Sequence, residues 1–120
     1  MTQPTNTFVI ASDIGGTHIT ASLVDVHQWQ VITESITRHH VNSHADAKSI
    51  LEVWSAPFQE IIRKYPAIAL PTIGIAMPGP FDYDNGISRM RNQDKYDNLY
   101  GMDIRRELAE RTGVEGTHIR

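Results

Sequence analysis

The chain has 120 residues, room for one domain of ordinary size. Its net charge of −3 gives no basic footprint for nucleic acid, and no apolar run approaches membrane-spanning length. There is no cysteine, which excludes a disulfide framework and a thiolate metal site and suits a reducing cytoplasm.

Residues 1–7 are polar without a charged side chain, so they read as a disordered terminus and not as a signal peptide. Phe8 to Ser12 is an apolar run that reads as a buried strand. It is followed by Asp13, the glycine pair Gly15-Gly16 and the hydroxyl of Thr17. His18 to Asp25 alternates, with Ile19, Ala21 and Leu23 on one face and Thr20, Ser22 and Val24 on the other, as a second strand. Val26 to Gln28 is a turn. Trp29 to Val41, rich in β-branched residues, is a third strand, and the short connections make an antiparallel meander.

A helix is expected next, with Ser43 as N-cap and Asp46 three residues on. Its apolar stripe runs through Ala47, Ile50, Leu51, Trp54, Phe58, Ile61, Ile62 and Tyr65. Pro57 interrupts it at a cost of roughly 3 kcal/mol, so a kink or two abutting helices are expected near Ser55 to Pro57. Pro66 ends the helix. Thr72 to Met77 is a fourth strand, which the helical crossover sets parallel to the first. Pro78-Gly79-Pro80 stops it. Phe81 to Asp94 reads as a hairpin about Asp84-Asn85-Gly86. Met102 to Thr112 is a second helix, with Ile104, Leu108 and Arg111 along one face and Gly113 as C-cap. Thr117 to Arg120 opens a fifth strand.

Strand, acid, glycine pair and hydroxyl suggest a phosphate cradle. Glycines allow positive φ and let an anion approach backbone N–H groups, and a nearby carboxylate suits hydrated Mg²⁺. The same residues also make an ordinary hairpin turn. The pattern is not a Walker loop, and the segment after Thr17 is a strand, so a helix dipole is not on offer.

Asp13-Ile14-Gly15-Gly16-Thr17, with the strand ending Leu23-Val24-Asp25, resembles the first phosphate motif of the sugar-kinase, actin and heat-shock-ATPase superfamily. Ile73-Gly74-Ile75-Ala76-Met77-Pro78-Gly79-Pro80 resembles the ROK family, named for repressors, open reading frames and kinases. Asn98-Leu99-Tyr100-Gly101 matches in the same order. His18 departs from the family pattern, which usually has Lys there. The resemblance implies an α/β, ribonuclease-H-like (actin-like ATPase) half-domain. Its mixed sheet would have about five strands, three antiparallel and then parallel, with two main helices and an inserted hairpin. Residues 8–120 would be the N-terminal lobe of a glucokinase-like hexose kinase, with the catalytic base beyond Arg120 and the chain alone inactive.

The resemblance further implies ATP and a sugar as ligands, a homo-oligomeric parent protein in the cytoplasm, and no nucleic acid or membrane partner. Gly15, Gly16 and Thr17 would cradle phosphates, with His18 beside them, and Asp13 would hold Mg²⁺ through water. Gly79, Asn98, Arg91 and Gln93 would face the sugar. Arg89, Asp94 and Lys95 read as a solvated face of the same loop, and His39, His40 and His44 as surface histidines. The alternatives are a ROK-type sugar-responsive regulator without its DNA-binding module and a non-catalytic sugar-binding domain.

Overall fold

The computed structural model describes residues 8–68 and 71–120, so the expectation for residues 1–7 lies outside the described residues. Strands β1 (Phe8–Ile14), β2 (His18–Asp25) and β3 (Gln30–His40) precede helix α1 (Ala47–Lys64). Strand β4 (Thr72–Ala76), the short strands β5 (Phe81–Asp82) and β6 (Ile87–Ser88), and helix α2 (Ile104–Thr112) follow. The main sheet has the order β3-β2-β1-β4, and β5 and β6 form a separate two-stranded sheet. β1 is antiparallel to β2 and parallel to β4, as the crossover requires.

Alternation in β1 and β2 decides which face is covered. Ile10, Ile14, Ile19, Ala21 and Leu23 are buried, with Ile73 of β4, in one core with Ile50, Leu51, Trp54 and Phe58 of α1 and Ile104 and Leu108 of α2. Burial of each large side chain contributes about 1.5–3 kcal/mol, an upper figure because the unfolded chain is partly collapsed. Ala11 and Asp13 point the other way and are exposed.

Several expectations change. β1 runs on to Ile14, because Asp13 is still paired with Thr20 on one side and Ala76 on the other. The N-cap of α1 is Asp46, whose Oδ1 accepts from the Ser49 N–H at 2.8 Å. Ser43 is instead buried, and its carbonyl accepts from the Tyr96 N–H. α1 is one continuous element with Pro57 inside it, not two helices. Its apolar stripe stays in phase across the proline, and burial of Trp54, Phe58 and Ile61 on either side offsets the missing hydrogen bond.

The hairpin after β4 is shorter than expected, two residues per strand. Residues from Arg89 onward leave it for a loop with Asn92, Asp94 and Tyr96 at positive φ. The fifth strand reduces to Ile119 and Arg120 beside β4, because residues 116–118 form a 3-10 turn. Arg120 N–H donates to the Ile73 carbonyl at 2.8 Å, and the Ile75 N–H donates to the Arg120 carbonyl at 2.7 Å.

Between Ala21 and Leu23 the β2–β3 register shifts. Ser35 is buried there. Its hydroxyl accepts from the Leu23 N–H at 2.7 Å and donates to the Ile32 carbonyl at 2.6 Å, so backbone groups freed by the irregularity keep partners.

Candidate functional site

The ends of β1 and β4 lie at one edge of the sheet, because the two strands are parallel and in register from Val9↔Thr72 to Asp13↔Ala76. That edge carries the Gly15–Thr17 turn after β1 and Pro78-Gly79-Pro80 after β4. Gly15 N–H donates to the His18 carbonyl at 2.9 Å, and the Val41 N–H donates to the Thr17 carbonyl at 2.8 Å, which closes the turn against β3.

Gly15 and Gly16 do not use the left-handed backbone region; the glycines with positive φ are Gly86, Gly101 and Gly113. A Cβ at Gly15 would lie 3.8 Å from the His18 carbonyl oxygen, and one at Gly16 3.8 Å from Lys95 Cδ. Both are ordinary contacts. The fold tolerates a side chain at either position, so neither positive φ nor crowding explains the pair. What a Cβ would obstruct is close approach from outside.

Asp13 sits on a paired strand and not on the turn itself. Its carboxylate is exposed, in an open depression of about 390 Å³ lined by Ala11, Ser12, Thr20, Ala21 and Ser22. It forms no ion pair among the described residues. An oxygen donor with hydroxyls beside it and room for water fits Mg²⁺, which keeps several waters and takes one or two carboxylates.

His18 and His40 are cross-strand neighbours, their rings edge-to-face with centroids 5.3 Å apart. Thr17 Oγ1 lies 2.8 Å from His18 Nδ1. Desolvation, then the charges of Arg38 and His40, hold the His18 imidazole below its ordinary value, so it is mostly neutral at pH 7.

The sugar-side candidates divide. Arg91, Gln93 and Asn98 share one loop; Gly79 lies just past the end of β4, exposed, with open space where a side chain would stand. Asn98 Nδ2 donates to the Ala45 carbonyl at 2.8 Å, which ties up part of its amide. Arg91 lies over the Tyr100 ring, 4.9 Å from its centroid, and Gln93 Nε2 donates to the Arg91 carbonyl. The three histidines go to different partners: His39 to Glu60 of α1, His40 to His18, and His44 to Asp94 at 3.2 Å.

Sequence reasoning missed Tyr96. It is fully buried, its ring packs on Trp54 at 4.8 Å, and its hydroxyl donates to the Gly15 carbonyl at 2.5 Å. Burial pushes its phenol above the ordinary value, so it stays a donor. A lone aromatic in the polar run Gln93-Asp94-Lys95-Tyr96-Asp97 was the available signal. Tyr96 joins the loop of the sugar candidates to the turn of the phosphate candidates.

No family model and no curated protein matches the sequence. Solved structures do match its fold. The ROK hexokinase of Thermus thermophilus is 23% identical with a TM-score of 0.66, over 88% of this chain and 32% of that one. A ROK family glucokinase of Streptomyces griseus, in complex with glucose and AMPPNP, is 18% identical with a TM-score of 0.66, over 89% and 31%. A ROK family transcriptional regulator, a homolog of the E. coli MLC protein, is 19% identical with a TM-score of 0.65, over 89% and 26%. The chain spans about a third of the length of the first two and about a quarter of the third, and over that span it has the fold of the ROK proteins.

Proposed function

We propose that this chain is the N-terminal, ribonuclease-H-like lobe of an ATP-dependent hexose kinase of the ROK family. Such a kinase moves the γ-phosphoryl group of ATP to a hydroxyl of a sugar such as glucose, in the cytoplasm. The observation that carries the reading is a glycine pair that the fold does not require, next to an exposed carboxylate on a rigid strand. The glucokinase with glucose and AMPPNP among the fold neighbours supports the same ligands.

Phosphoryl transfer depends mainly on positioning and charge stabilisation. In this reading Gly15, Gly16 and Thr17 cradle the phosphates: Gly16 and Thr17 offer backbone N–H groups and a hydroxyl, while Gly15, whose N–H is held by the His18 carbonyl, leaves the approach to the turn clear of a side chain. His18 stands beside them. Asp13 holds Mg²⁺ through water, and the metal supplies charge neutralisation for the polyphosphate. Gly79, Arg91, Gln93 and Asn98 face the sugar, Asn98 through the part of its amide that Ala45 does not occupy. No residue of this chain is assigned as the base.

The test is Asp13→Ala in the protein that carries this chain, assayed with glucose and MgATP. Turnover is expected to fall by about 10²–10³-fold with the circular dichroism spectrum unchanged. Unchanged turnover rejects the reading. The regulator among the fold neighbours favours a second one, a sugar-responsive protein, which binds glucose and shows no turnover that depends on Asp13.

A further inference from the structure

We infer that Lys95 is the phosphate-binding cation of this site, reaching the glycine turn from the loop of the sugar candidates. The inference rests on the kinase reading for the identity of its ligand. It adds a residue that the motif at Asp13 to Thr17 does not contain.

Three observations converge on Lys95. Its stem lies over Gly16, with Cδ 3.8 Å from where a Cβ would stand, so its ammonium is two bonds further along a flexible chain. Its neighbour Tyr96 is fixed to the same turn through the Gly15 carbonyl, with its backbone N–H on the Ser43 carbonyl and its ring on Trp54. The loop therefore cannot carry Lys95 away without breaking a buried contact. Among the described residues, Lys95 has no ion-pair partner.

The competing source of charge is His18. It faces Arg38 and His40 of β3 across the strand pair, with Thr17 on its Nδ1 and Asp13 of β1 beyond Thr20. Two basic neighbours oppose its protonation. An imidazole loses its charge through the neutral range, whereas an ammonium keeps it. A triphosphate bound at neutral pH therefore draws on Lys95 and not on His18; Arg38, the other cation nearby, pairs with Thr20, further along β2 from the turn, whereas the Lys95 stem lies on Gly16 itself.

The experiment measures binding of MgAMPPNP and of inorganic tripolyphosphate by calorimetry, at pH 6 and pH 8, in the protein that carries this chain. Lys95→Met keeps the stem and removes the charge. It is expected to weaken both ligands by about 10- to 100-fold, the worth of a charge-assisted hydrogen bond, with glucose affinity unchanged. Lys95→Arg restores most of the loss, which a packing role would not. Tyr96→Phe keeps the ring on Trp54, releases Gly15 and weakens both ligands by a smaller factor. Wild-type affinity does not fall from pH 6 to pH 8, because an ammonium keeps its charge while the terminal phosphate of the ligand loses a proton.

If Lys95→Met binds as wild type does, or if affinity collapses by pH 8, the charge comes from elsewhere and the inference fails while the kinase reading stands. If tripolyphosphate binds through Lys95 and MgAMPPNP does not bind, the cation stands and the nucleotide reading falls. Binding of neither ligand at either pH overturns both.

Discussion

Gly86 and the Gly15-Gly16 pair both sit in connections between antiparallel strands, and the chain treats them in opposite ways. Gly86 has φ +73°, and a Cβ there would stand 2.6 Å from Arg105 Cβ. Its carbonyl accepts from the Ile104 N–H at 2.8 Å at the start of α2, while the Arg105 guanidinium donates to the Tyr83 and Asp84 carbonyls. Every feature of that glycine is explained by folding. Neither φ in the left-handed region nor a close neighbour accounts for Gly15 and Gly16. Glycine required by geometry is a statement about the fold; glycine that geometry leaves optional invites a ligand.

Gly86→Ala should have the largest effect on stability. A left-handed backbone and a clash with a helix-borne Cβ together predict a loss of about 2–4 kcal/mol in urea unfolding. A loss under about 0.5 kcal/mol would erase the contrast. Gly16→Ala should do the reverse. Stability stays level or rises by up to about 1 kcal/mol, because the unfolded chain loses freedom. MgAMPPNP affinity falls about tenfold, the scale of one blocked backbone hydrogen bond. If Gly16→Ala unfolds the protein instead, the pair belongs with Gly86.

The smallest effect concerns His18. Its folded value lies below the ordinary 6.5. Between the two values the unfolded chain holds more protons, so this group makes stability fall as pH drops through the window just under 6.5. A proton NMR titration should place the His18 midpoint below 6.5, and Arg38→Gln should raise it. A midpoint at or above 6.5 would show that neither desolvation nor the β3 charges act on His18 at the turn.

The sheet was legible because its evidence is periodic. Alternation in residues 18–25 gave β2 to the residue, and the helical stripe through Trp54 and Phe58 gave α1 despite Pro57. Caps were less legible: Ser43 and Asp46 offer overlapping signals, and only the position of the first turn chooses between them. At the site, the turn and its acid could be read from neighbouring residues. Tyr96 could not, because its partner Gly15 is 81 positions away and hydrogen bonds at that separation leave no local pattern. Lys95 was read as part of a solvated face for the same reason.

The hydroxyl of Ser35 has a consequence for the molecule as a neighbour to others of its kind. β3 is the longest strand, lies at the margin of its sheet and exposes Val31 and Ile36. A straight margin of that length with such side chains is a template for sticky pairing between copies. The shift in register that Ser35 bridges makes the strand irregular midway along its length, a feature that works against a second copy pairing along the whole of it.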